Sequence, residues 1–106
     1  MNDWEWLRQV AMPAFGVKKI RIAMSQLALT HPDCWIELSA PPKITVTKEW
    51  MRQDARERRK RLTHELLHGA GLKHGVYNGF EFSTYPEEDT YSVAAYKWLQ
   101  RGMRRQ

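Results

Sequence analysis

The sequence predicts an α+β domain, a small sheet packed on helices. Short runs rich in β-branched residues lie between residues 17 and 47. A helix-period run then extends to about residue 70, and a second helical stretch spans about 86–101. That order, helix then about three strands then two helices, suits one domain over residues 1–106.

Each element has a local cause. Asn2 or Asp3 can cap a short helix carrying Trp4, Leu7, Val10 and Ala11, expected to stop near Pro13. Val17–Met24 alternates in part, Ile20 and Ile22 against Lys19 and Arg21, and reads as a strand that SQLAL prolongs or turns helical. His31, Pro32 and Asp33 form a turn. Cys34–Ser39 and Lys43–Thr47 are strand-like, and Ala40, Pro41 and Pro42 between them predict a hairpin or two adjacent strands. Thr47 can open an early helical turn, but Asp54 and Glu57, at capping-box spacing, are the better start of the long helix. Met51, Ala55, Leu62, Leu66 and Ala70 are expected to form its buried stripe, with Gly69 and Gly71 at its end. Residues 75–86 read as an irregular loop. The last helix starts near Pro86 or Glu87 with an acidic first turn, ends basic at Arg101, and Gly102 stops it.

Composition narrows the class. A hydrophobic content of 42%, with five Trp, is too apolar for a disordered chain. The lone cysteine, Cys34, excludes an internal disulfide and a cysteine zinc cage. MNDWEWLRQV lacks a signal-peptide pattern, and no apolar stretch approaches membrane-spanning length. A cytoplasmic monomer without a membrane partner is the resulting expectation. The net charge of +5 is concentrated in RERRKR, residues 56–61, and in the tail RGMRRQ, residues 101–106. These runs permit a nucleic-acid partner without requiring one, and a solvated helix face with a frayed basic end is the simpler reading.

The chemistry lies in HELLHGAGLKH, residues 64–74. His64 and His68 are four apart, so a helix sets both imidazoles on one face, in reach of one zinc at about 2.0–2.1 Å. Glu65 is offset from His64 by about 100° and can accept a proton from metal-activated water. A catalytic zinc usually keeps three protein ligands and one open position. His74 supplies the third if Gly71 turns the chain back, because on a continuous helix it would point away. Shuffling this composition gives all five fixed positions in one window on the order of once in 10⁵ sequences.

His64, Glu65, His68, Gly71 and His74 match the metzincin zinc signature position for position. HGAGLKHG resembles matrixin sequence, and FSTYPEEDTYSVAAYKWL, residues 82–99, resembles the region where a Met-turn ending in Tyr-Pro leads into the C-terminal helix. The resemblance implies a minimal zincin-like fold: a small twisted mixed sheet on a long active-site helix, with a C-terminal helix beneath the metal. It also implies Zn2+ as cofactor and zinc-dependent endopeptidase activity on a peptide or protein. Thr84 stands where the family has its Met-turn methionine, an apolar floor under the metal; the next methionine is Met103. Tyr85 corresponds to the tyrosine that in some relatives stabilises the tetrahedral intermediate, with Tyr77 and Tyr91 as further candidates. By analogy, an extended substrate lies along residues 43–47 or 34–39.

Other readings stay open. A gluzincin-like site would take Glu87, Glu88 or Asp89 as third ligand, although these also suit a helix N-terminus. A basic module with structural zinc, or an SprT-like protease acting near nucleic acid, would use the basic runs. Cys34 is either a buried structural thiol or a ligand holding the enzyme latent, and His31 reads as a turn residue. Trp35, Trp50 and Trp98 belong to the core or a groove wall.

Overall fold

The computed structural model describes residues 1–25 and 33–102. Its elements are α1 (Asp3–Trp6), α2 (Met12–Phe15), β1 (Arg21–Ser25), β2 (Cys34–Glu37), β3 (Lys43–Thr47), α3 (Lys48–Met51), α4 (Ala55–Gly69), β4 (Gly75–Tyr77), β5 (Phe80–Phe82) and α5 (Thr90–Gln100). The α+β class is as expected. His31 and Met103 lie outside the described residues.

β3 is the centre of a mixed sheet of order β1-β3-β2. β1 pairs with it in parallel, Arg21 opposite Lys43, and β2 antiparallel, Cys34 opposite Val46. Flanked on both sides, β3 is buried from Ile44 to Thr47. It is therefore no edge for a peptide, which leaves β2 of the two strands considered. Ile44 and Val46 share the core with Trp6, Leu7, Met12, Trp50, Leu62, Leu66, Tyr96 and Leu99, so α1, α2, α4 and α5 gather around this strand. Leu62 and Leu66 are fully buried.

Asn2 caps α1 with a complete capping box: its side chain accepts from Glu5 N–H at 2.8 Å, and Glu5 accepts from Asn2 N–H at 2.9 Å. The helix does not stop near Pro13. A π-helical turn, Leu7–Ala11, precedes α2 and widens the backbone where a regular helix would set the ring against the residue-9 carbonyl. The chain then ends α2 at Gly16, in the left-handed region at φ 71°.

Three expectations about the long helix need correction. Thr47 and Asp54 both act as caps, so α3 and α4 are separate helices, and Met51, 51% exposed, does not share a face with α4. Ala55 and Ala70, at the ends of α4, are exposed too. The buried set is Lys60, Leu62, Thr63, Leu66 and Leu67. Asp54 accepts from Glu57 N–H, but the Glu57 carboxylate turns to Lys60 at 3.0 Å and Arg61 at 3.4 Å.

The basic run 56–61 is not a solvated face. Arg58 and Arg59 meet Asp3 at 2.7 and 3.0 Å, Arg61 meets Asp33 at 2.7 Å, Lys60 meets Glu57, and Arg56 reaches Glu57 at 3.8 Å. Lys60 is buried, which a lysine tolerates only when paired. These pairs fasten the N-terminal helix and the start of β2 to α4.

Residues 75–86 are not an irregular loop. β4 and β5 form a hairpin around Asn78 (φ 54°) and Gly79 (φ 83°), both left-handed, as a tight two-residue turn requires. A 3₁₀ turn over Pro86–Glu88 follows. α5 then begins after Asp89, whose side chain accepts from Ser92 N–H; the last helix therefore starts later than Pro86 or Glu87.

Asp3 is the acidic partner of two partly buried arginines. Asp3→Ala should lower stability in urea denaturation by about 1–3 kcal/mol. A change within about 0.3 kcal/mol would show that these pairs do not hold the N-terminal helix.

Candidate metal centre

The centre begins at the end of α4. Gly71 adopts φ 103°, closed to most side chains. Its N–H donates to His68 O at 2.9 Å, and Leu72 N–H donates to Leu67 O at 3.0 Å. Together these are the two bonds of a Schellman cap, which reverses the chain immediately after the helix. Gly69, by contrast, lies inside α4. A Cβ there would come within 3.2 Å of Ile36 Cδ1, so its smallness allows α4 to approach β2.

The reversal brings His74 to the two histidines of α4. His74 Nε2 lies 3.1 Å from His68 Nε2 and 3.4 Å from His64 Nε2. The three histidines offer nitrogen atoms that all lie within 4.8 Å of one another. Nitrogens about 2.0–2.1 Å from a tetrahedral zinc stand roughly 3.3–3.4 Å apart.

Each imidazole is held from behind through Nδ1. His64 Nδ1 lies 2.8 Å from Asp89 Oδ2, His68 Nδ1 2.9 Å from Leu72 O, and His74 Nδ1 3.1 Å from Thr84 Oγ1. A carboxylate and a carbonyl only accept, so His64 and His68 carry their hydrogens on Nδ1 and present bare Nε2 atoms. A hydrogen on His74 Nε2 could satisfy one of them at most. At least one bare Nε2 is then left without a donor in this group, an arrangement that a cation relieves. The residues therefore fit a divalent metal with an all-imidazole donor set, which suits zinc. Burial lowers the pKa of both His68 and His74, helped by the neighbouring His64, and this favours the neutral, ligating form. His74 is exposed, so the centre opens to solvent on that side.

Phe82 is the floor. The ring is 1% exposed and lies 4.5, 4.9 and 5.4 Å from the rings of His64, His68 and His74. Thr84 lies behind His74, its hydroxyl 3.1 Å from Nδ1, and takes no part in the floor. Tyr91 backs Phe82, Tyr77 packs on Tyr91, and the Tyr77 hydroxyl donates to Lys73 O.

Glu65 sits against the edge strand, where its carboxyl accepts from the Ile36 N–H. Burial pushes its pKa up to about 7; His64 and the Ile36 N–H pull it down, and Asp33 and Asp89 push it further up. A bound metal would draw the value down again. Asp89 combines two tasks, holding His64 and capping α5. Burial would raise its pKa, but the hydrogen bonds from His64 and Ser92 outweigh burial and hold it below the ordinary value.

The remaining candidates lie around this group. Glu87 and Glu88 are exposed, and Glu88 accepts from the Ser83 hydroxyl. Cys34 is 2% exposed, and burial pushes its thiol pKa well up, as for a structural cysteine. It lines a small cleft beside His64 with Asp33, Lys60, Arg61, Thr84, Pro86 and Asp89. Tyr85 is 61% exposed, and its phenol makes no hydrogen bond among the described residues. Trp50 is buried, stacked on Trp4 and donating to Arg58 O, and Trp98 packs on Phe15.

The hairpin was readable in VYNGFEF, an Asn-Gly pair between alternating apolar residues. The roles of Phe82 and Asp89 had no local signal. No protein-family model matches the chain, and neither a curated protein nor a solved structure proves similar to it.

Phe82→Ala should open a cavity under the imidazoles and cost about 3–5 kcal/mol, while Phe82→Met should cost less than about 1.5. Equal losses in urea denaturation would remove Phe82 as the floor.

Glu65 also predicts a pH dependence in the metal-free chain. Its folded pKa, about 7, is raised above the ordinary 4.5. Its stabilising contribution is full below the lower value and is lost as pH rises through the higher one. Glu65→Gln should therefore be more stable than the parent by on the order of 1–3 kcal/mol near pH 8, and match it near pH 4. A difference independent of pH contradicts this.

Proposed function

We propose that the protein is a small zinc-dependent endopeptidase of the metzincin type, hydrolysing peptide bonds with Glu65 as general base. The observation that carries this reading is the convergence of three Nε2 atoms, His64, His68 and His74, beside a partly buried carboxyl on the same helix. Bound zinc would supply Lewis acidity and a water acidified toward a pKa of ~7.

The chain's own residues have distinct tasks. His64, His68 and His74 would hold the metal, and Gly71 makes His74 reachable. Glu65 takes a proton from the attacking water and returns it to the leaving amine. An extended peptide adds to the edge of β2, Cys34–Glu37, that no other strand pairs among the described residues, beside α4 and the Glu65 carboxyl that takes the Ile36 N–H. Tyr85, exposed and next to Thr84, is our choice for a donor to the developing oxyanion. The exposed side of His74 leaves room for water and the substrate.

The alternatives have less support. Asp89, the best placed carboxylate, is committed to His64 and to the cap of α5, so His74 is the better third ligand. Every basic residue of 56–61 has an acidic partner within the chain, which weakens the case for nucleic acid as a partner. No helix among the described residues is long and apolar enough to cross a membrane.

The parent should hold one zinc per chain and lose peptidase activity to a chelator. Glu65→Ala should keep the zinc while kcat/KM falls by roughly 10²–10⁴-fold. A variant that cleaves peptide as fast as the parent rules out Glu65 as the base.

A further inference from the structure

We propose that Asp89 is a positioning residue: it fixes His64 for the metal and couples metal binding to the seating of α5. This rests on the zinc reading above. Of the three ligand histidines, His64 alone is held by a charged group, for Leu72 O and the Thr84 hydroxyl are neutral. Asp89 is 4% exposed, and both its oxygens are used. Oδ2 accepts from His64 Nδ1 at 2.8 Å, and Oδ1 accepts from Ser92 N–H at 3.3 Å. The fully buried Ser92 adds its hydroxyl 3.4 Å from His64 Nδ1. One buried carboxylate thus joins a ligand of α4 to the first turn of α5.

The chemistry favours this arrangement from both sides. The positive end of α5 stabilises the carboxylate. Three neutral imidazoles leave a divalent cation with its full charge. A carboxylate hydrogen-bonded to one of them offsets part of that charge, raises the basicity of that ligand and fixes its tautomer. In return, a metal that polarises His64 strengthens its bond to Asp89, and so holds the N-terminus of α5 against α4.

Zinc affinity of the full chain, measured by competition with a chelator, tests the role. Asp89→Asn keeps a helix cap of similar strength and an oxygen that accepts from His64 Nδ1, but it removes the charge. Asp89→Ala removes cap, bond and charge together. The expected result is a zinc Kd weakened about 10–100-fold in Asp89→Asn and at least as much in Asp89→Ala. Asp89→Asn should show the smaller loss of metal-free thermal midpoint. The cobalt(II) absorption bands of Asp89→Asn should also shift, which loss of a helix cap would not cause. If Asp89→Asn binds zinc as tightly as the parent, Asp89 is a helix cap only and the proposal fails alone. A parent that binds no zinc overturns the metal centre itself, and this role with it.

Discussion

His68 and His74 are six residues apart. On a continuous helix they would stand roughly 120° apart around the axis and about 9 Å apart along it. Their Nε2 atoms are 3.1 Å apart because the chain reverses at Gly71. The rest of the centre depends on that reversal. It exposes the Leu72 carbonyl to His68, carries His74 back over α4, and launches the hairpin that brings Phe82 under the three rings. A side chain at Gly71 would meet no neighbour, so the constraint there is conformational and not steric.

The second requirement is that every imidazole face inward. An imidazole free to turn would expose Nδ1 or Nε2 about equally, and three free rings would not converge. The protein solves this with three different partners for Nδ1 from three places: a buried carboxylate at α5, a backbone carbonyl at the helix cap, and a hydroxyl after the hairpin. Rings fixed in advance would spare a metal bound there the ordering entropy of its ligands. An apolar floor keeps the centre shaped without adding a competing ligand. Phe82, buried against all three rings, meets that need.

Much of the site was legible in the sequence because its spacing is local. The i, i+4 histidines, the glutamate between them and the glycine before His74 each follow from helix geometry. So do the caps at Asn2, Thr47 and Asp54. What escaped depends on distance along the chain. Asp3 neutralises arginines 55 and 56 residues away, so a run that reads as a solvated basic face is an internal clamp. Phe82 and Asp89 reach the histidines only once the hairpin and α5 have folded over α4. Met51 fits the period of α4 but lies beyond a helix break that the period does not reveal. The hairpin is a different case, since its Asn-Gly signal was present and local.

The same clamp explains how a short chain holds such a centre. One three-stranded sheet, with its middle strand covered on both faces, positions α4, and ion pairs to Asp3 and Asp33 fasten that helix to the N-terminal helix and to the start of β2. X-ray absorption of the zinc-loaded chain tests the central claim most directly. The account predicts three imidazole nitrogens at about 2.0–2.1 Å and one further light-atom ligand from solvent. A thiolate sulfur at about 2.3 Å, or fewer than three imidazoles in the shell, would contradict it.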